Sequence, residues 1–219
     1  MIEFFLPEYK WVFYIVNGTL VTLQYSLLAV FFGLCLGLML ALAVLGSNFY
    51  LRFLAYSYIS VIRGTPLLLQ LSIVYYLLPV VTGYNISVFA AGILAFSVNS
   101  GAYVAEIIRS GIQSIDKGQF DAAKALSIPY WRMMLDIILP QALRNILPAL
   151  VNEVVNMVKE SALIATLGEV DIMRRAQLVA AEQYSYFAPL LVAAACYYII
   201  IQVLSLLAMF LERKLRDNH

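Results

Sequence analysis

The sequence predicts an all-α membrane protein: five transmembrane helices in a single domain over residues 1–219, with the N-terminus outside and the C-terminus inside. Three observations carry this reading. The residues are 63% hydrophobic and only 12% charged, with a mean hydropathy of +0.87, well away from the balance of soluble domains. Five apolar blocks are long enough to cross a hydrocarbon layer of ~30 Å. Lys and Arg are also split unevenly between alternate connections, nine against three, which orients the chain.

The first block, residues 14–45, follows a leader containing Glu3, Glu8 and Lys10. Ala41-Leu42-Ala43 has the form of a signal-peptidase site. The apolar run is too long for a signal core and its leading residues lack positive charge, so it is expected as a retained first helix. Gly33 and Gly37 form a close-packing pair. Next comes an amphipathic, tyrosine-rich stretch, residues 48–62, ending in Arg63-Gly64-Thr65-Pro66. Thr65 is expected to cap a helix starting at Pro66. Residues 66–82, about 25 Å of helix, then just suffice for the second span. Arg63 lies at the membrane surface, either as an anchor for that helix or as a snorkelling side chain.

An uncharged loop, residues 79–86, leads to a third span over residues 88–108. Its centre carries Asn99, Ser100 and Tyr103, which either line a polar cavity or bond between helices. Glu106 and Arg109, three apart, are placed to pair near its exit. The fourth span, residues 143–167, is bent at its start by Pro148 and holds Asn152, Glu153, Asn156, Lys159 and Glu160. A charge at mid-membrane costs about 2.5–3.5 kcal/mol, so these groups face a cavity or a partner. Lys159 either neutralises Glu153 or Glu160 or meets a charge on another helix. A polar segment, residues 168–185, precedes the fifth span, residues 187–211, and a basic end. With the N-terminus outside, Arg52, Arg63, Arg109, Lys117, Lys124, Arg132, Arg213, Lys214 and Arg216 are inside, against Lys10, Arg174 and Arg175 outside.

The cytoplasmic loop, about residues 110–140, contains a polar island from Asp116 onward. Asp116 with Gln119 reads as a variant capping box that opens a short helix over residues 120–126. Phe120, Ala123 and Leu126 line one face of it, with Asp121 and Lys124 beside them. Ser127 and Pro129 break it, and Pro129 suits the first turn of the next helix. A small apolar face ringed by charge either docks into a soluble partner or rests on its own bundle.

Other classes find little support. A net charge of +1 with no basic patch gives no case for nucleic acid. Cys35 and Cys196 are too few for a disulfide framework or a metal site. The single histidine is His219, which leaves a membrane-embedded enzyme without a catalytic constellation. No G-x-x-x-x-G-K-[ST] string is present, so ATP is not expected to bind here.

Asp121-Ala122-Ala123, Leu126-Ser127 and Ile138-Leu139-Pro140 resemble the cytoplasmic loop of ABC-importer permeases, where D/E-A-A is followed by glycine and then I-x-L-P. Asp121 stands for the usual Glu, and Ser127 for the usual Gly, which predicts a strained turn at φ > 0. Ile62-Arg63-Gly64-Thr65-Pro66, the run from Asn99 to Ile112, and Lys159-Glu160-Ser161 are similar to the branch that takes up histidine, arginine, glutamine, glutamate or opines. The likeness extends over residues 17–216.

This resemblance implies the type I importer fold in the bacterial cytoplasmic (inner) membrane. It also implies a second permease subunit, identical or related, two ATPase subunits that hold ATP and Mg, and an extracytoplasmic amino acid-binding protein. The chain itself then needs no cofactor and makes or breaks no bond, moving its solute by alternating access. Phe120, Asp121, Ala122, Ala123, Leu126 and Ser127 are the implied ATPase-coupling residues. The expected solute-binding set is Asn99, Ser100, Tyr103, Asn152, Glu153, Asn156 and Glu160. Glu153, a turn or two from Glu160, favours arginine, lysine or histidine over glutamine, and glutamine over glutamate. A self-contained channel or secondary transporter is the rival reading, and it needs no cytoplasmic docking helix.

Overall fold

A computed structural model describes residues 10–217, with side chains described as far as Phe210. Glu3, Glu8 and His219 lie outside these residues, and the side chains of Arg213, Lys214 and Arg216 lie beyond Phe210. In hydrocarbon every backbone N–H and C=O needs an internal partner, and long runs of Leu, Ala, Val and Ile meet that need as helix. The order is α1 (Lys10–Val16), α2 (Thr19–Leu45), α3 (Phe49–Arg63), α4 (Leu67–Thr82), α5 (Val88–Gln113), α6 (Lys117–Ala125), α7 (Tyr130–Leu167), α8 (Ile172–Glu182) and α9 (Phe187–Asp217).

Four stretches are long and apolar enough to cross a membrane: Lys10–Leu45, α5, α7 and α9. A fifth exists only if α3 and α4, bent by 102° at their junction, count as one span. The second span is therefore not residues 66–82 standing alone. Thr65 does not cap α4 either. Pro66 is the N-cap, with extended backbone at ψ 136°. The Thr65 hydroxyl turns back to Val61 O (3.0 Å) and Ile62 O (3.3 Å), carbonyls in the last turn of α3 that lack the i+4 partner of a continuing helix.

The fourth span begins at Tyr130, well before residue 143, because Pro140 does not stop it. A proline removes the N–H that would serve the carbonyl four residues earlier. The chain absorbs this by a wider turn just ahead of each such proline. Leu139 N–H bonds to Met134 O after the wide turn Met133–Ile138, and Pro140 follows. Leu78 N–H bonds to Ile73 O after Ile73–Leu77, and Pro79 follows. One local device, Leu-Pro behind an apolar run, shapes α4 and α7 alike. Pro148 lies inside α7. The third span runs on to Gln113, past residue 108, and Ser87 caps its start by accepting from Ala90 N–H at 3.2 Å.

The centre of the bundle is α5: 61% of its apolar window is buried, against 6% for α9. Without a hydrophobic drive between helices in lipid, close packing holds α5 in place, and small residues permit it. A Cβ on Gly33 would lie 2.7 Å from Ser100 Cβ, and one on Gly37 would lie 2.5 Å from Val104 Cγ1. The Gly33/Gly37 pair is thus the α2–α5 contact. Tyr25, Phe96, Leu71, Met157 and Ile164 fill the core beside it.

Residues 168–185 are not simply a polar segment. Ile172, Ala176 and Val179 (spacing four and three) make α8 amphipathic, and they pack on Ile15 and Ala193. The break between α1 and α2 closes onto the start of α8, where a Cβ on Gly18 would stand 2.5 Å from Ile172 N. Asp171 caps α8 by accepting from Arg174 N–H (2.8 Å) and Tyr197 Oη (3.1 Å). Burial pushes its carboxyl above the usual carboxylate range, and these hydrogen bonds oppose that shift. Arg175 stacks on the Tyr14 ring at 4.6 Å and donates to Tyr14 O at 3.0 Å.

Candidate functional site

The expected site residues fall into polar groupings, of which two matter most here. The first lies where α4, α5 and α7 meet. Ser100 Oγ donates to Glu153 Oε1 at 2.9 Å, and Asn99 Nδ2 donates to Gln70 Oε1 at 3.1 Å. All four side chains are buried. Ser100 is the one hydrogen-bond partner of the Glu153 carboxylate among the described residues, and no basic group pairs with it. A carboxylate in this setting has a strong demand for positive charge.

The other expected solute-binding residues are not gathered there. On α7, Glu153 and Met157 turn inward, while Asn152, Asn156 and Lys159 are exposed on another face. Asn152 and Glu153, both expected in the solute-binding set, therefore point to different sides of α7. Successive helical residues diverge by about 100°, so neighbours in sequence are separated around the axis. Glu160 is half-buried at the point where α7 tightens into the 3₁₀ turn Ser161–Leu167. Lys159 makes no ion pair among the described residues.

Tyr103 is half-buried beneath Arg63, whose guanidinium carbon lies 5.2 Å from the ring centre. Glu106 pairs with Arg109 at 2.5 Å, as the spacing predicts, and also reaches Arg63 at 3.8 Å. Arg109 extends the series to Gln113. Arg63 is thus held to α5 by a ring and a carboxylate, more than surface snorkelling requires. Sequence reasoning missed Gln70 and the contact of Arg63 to Glu106. For Gln70 the available signal was an amide inside Leu67–Ser72, an otherwise apolar turn directly after the elbow. Tyr58 adds another tie, donating to Val98 O at 2.7 Å.

The second grouping is the island. Asp116 caps α6 by accepting from Gly118 N–H at 2.6 Å. The reciprocal half of the expected capping box is not formed. Gln119 Oε1 instead accepts from Gln141 Nε2 at 3.5 Å, across to α7. The helix starts at Lys117 and ends at Ala125, slightly ahead of residues 120–126.

At its end Ser127 adopts φ 55°. Ser127 N–H bonds to Lys124 O (2.9 Å) and Ile128 N–H to Ala123 O (3.0 Å), a Schellman termination with serine at the position glycine prefers. Ala123 is buried among Ile112, Ile115, Met133 and Ile138, with Phe120 packed alongside. Leu126 is 74% exposed, so it does not share that face. Part of the apolar face therefore rests on the bundle. Asp121, Ala122, Leu126 and Ser127 look outward, near exposed Tyr130 and Trp131. Asp121 meets Lys124 at 3.6 Å, with both largely exposed.

Known proteins resemble this chain over nearly its whole length. Residues 33–217 match the family described as binding-protein-dependent transport system inner membrane component. The chain is 55% identical over 218 residues, 100% of each chain, to the Rickettsia conorii protein named "Putative glutamine transport system permease protein GlnP". It is 45% identical over 205 residues, 94% of each chain, to the arginine transport system permease protein ArtQ of Bacillus subtilis. A crystal structure of an amino acid ABC transporter with histidines is 42% identical and superposes with a TM-score of 0.89, over 98% of this chain and 100% of its own. The MetNI methionine ABC transporter, at 19% identity and a TM-score of 0.76, shares the fold over 96% of this chain and 99% of its own. The chain therefore belongs to the binding-protein-dependent transport system inner membrane components, with the type I fold of ABC-importer permeases.

Proposed function

We propose that the chain is the membrane-spanning subunit of an ATP-driven importer that moves a polar amino acid inward by alternating access. The observation that carries the solute reading is Glu153, a buried carboxylate with one hydroxyl donor and no basic partner among the described residues. An amino acid supplies the missing cation through its ammonium, and a basic side chain supplies a second one. Glu160, two turns along α7, is the other carboxylate available. Asn99 and Ser100 complete the contacts on α5, with Tyr103 a turn further on beneath Arg63, and Asn152 and Asn156 on the exposed face of α7 line the route rather than the pocket. Arginine, lysine or histidine is the favoured solute. The relatives named for arginine and for glutamine transport support an amino acid in general.

In the assembly we envisage, ATP and Mg are held by separate ATPase subunits, and the outward face of α6 docks there. A second permease subunit and an extracytoplasmic binding protein complete it, in the bacterial inner membrane with the N-terminus outside. The Lys and Arg distribution supports that orientation.

A second reading, glutamine, is favoured by the 55% identity to the Rickettsia relative. Competition between arginine and glutamine for ATP-driven uptake into vesicles, with the matching binding protein, separates them. Glu153→Gln keeps the volume and removes the charge. Arginine transport should fall far more than glutamine transport. Equal arginine transport by wild type and variant would remove Glu153 from the site and the cationic preference with it.

A further inference from the structure

Gln70 is 7% exposed, and its amide bridges two elements. Nε2 lies 2.8 Å from Ile62 O, 3.1 Å from Thr65 O and 3.0 Å from Thr65 Oγ1. Carbonyl oxygens only accept, so the nitrogen of Gln70 must face the α3–α4 elbow. The acceptor is available for a local reason. The residue that would bond Ile62 O in a continuing helix is Pro66, which has no N–H. With its nitrogen committed, Gln70 offers Oε1 to α5 and can only accept there. Asn99, 3.1 Å away, must answer with Nδ2. The rotation of the Asn99 amide is thereby fixed by a proline on another helix, and Oδ1 is the atom left over. Asn99 Oδ1 has no partner among the described residues and is not fully enclosed. The next residue on α5, Ser100, about 100° further round the helix, bonds the Glu153 carboxylate of α7.

We propose that Gln70 is a specificity-positioning residue: it holds the Asn99 amide with its oxygen toward the solute, so that Asn99 and Glu153 together form an acceptor-only site. Such a site fits ammonium or guanidinium, which are donors only, and disfavours an amide oxygen or a carboxylate. This rests on the reading of Asn99 and Glu153 as solute contacts.

The test measures dissociation constants for arginine and for glutamine at the assembled permease–ATPase complex without binding protein. In Gln70→Met the Asn99 amide is free to turn its nitrogen outward and donate to a glutamine side chain. The arginine-to-glutamine preference should shift toward glutamine by about tenfold. Gln70→Glu loses the elbow bonds but still accepts from Asn99, so its preference for arginine should match or exceed wild type. Equal loss in both variants would mean that the elbow, not the amide orientation, sets the preference, and would overturn the proposal. If Gln70→Met does not assemble, Gln70→Glu decides alone: preference kept supports the proposal, preference lost overturns it. Asn99→Ala separates the underlying reading. Unchanged constants there remove Asn99 from the site. Changed constants with an unchanged ratio in Gln70→Met overturn the positioning role alone.

Discussion

Ser100 and Glu153 meet at 2.9 Å across the α5–α7 contact, with Gly33 of α2 packed closely against Ser100. The serine has little freedom to turn away, so its hydroxyl is a fixed donor to the carboxylate. Ser100→Ala should lower the stability of the purified subunit by about 1–3 kcal/mol, the cost of leaving a buried acceptor unmet. In a Glu153→Leu background, which has no acceptor for the hydroxyl, the same change should cost measurably less. Apparent melting temperatures of the two single variants and the double variant check this, and additive losses would show that the bond contributes nothing.

Ser127 holds a left-handed turn that glycine adopts without a Cβ penalty. Ser127→Gly should stabilise the end of α6 by about 1 kcal/mol. Hydrogen exchange at the Ile128 amide, bonded to Ala123 O, reads this locally. Protection should rise by about fivefold, with transport retained. Faster exchange would mean that the serine makes a compensating contact.

Asp121 and Ala123, two residues apart, are expected to fail differently. Asp121 is exposed and only loosely paired, so Asp121→Lys should leave the subunit's stability within about 0.5 kcal/mol while uncoupling ATP hydrolysis from uptake. Ala123 is 2% exposed inside an apolar cluster. Ala123→Asp should therefore cost about 3 kcal/mol and melt α6 from the bundle, with coupling lost as a consequence. Melting temperatures beside coupled ATPase assays separate the two. Normal coupling in Asp121→Lys would make the outward face of α6 a plain connecting surface.

The helices were readable because their cause is compositional: apolar runs in lipid have few alternatives to helix. Glu106–Arg109 and Gly33/Gly37 were readable because partners three or four residues apart share a helix face. What escaped sequence reasoning depends on which residues meet from different helices. Pro140 reads locally as a stop, yet a wide turn carries α7 through it. Glu153 and Asn152 read as members of one solute-binding set until the bundle assigns them to different faces. Gln70 gains its meaning only from Pro66 on one side and Asn99 on the other. α8 was hidden by its arginines, although Ile172, Ala176 and Val179 already carried a helical period.

Orientation makes a separate prediction. In a background with Cys35 and Cys196 replaced, Tyr84→Cys should react with a membrane-impermeant reagent from outside and Lys124→Cys only from the cytoplasm. Residue 84 lies in the exposed turn between α4 and α5, and residue 124 on exposed α6. Cytoplasmic labelling at position 84 would invert the topology drawn from the charge count.

Uptake of labelled amino acid into vesicles that contain this chain, its ATPase partner and the binding protein bears on the whole reading at once. Uptake should run against the gradient with ATP, stop when hydrolysis is blocked, and stop in Asp121→Lys although hydrolysis continues. Equal uptake without ATP or without the ATPase subunit would show a self-contained channel or secondary transporter, and would contradict the assignment of this chain as an importer's permease.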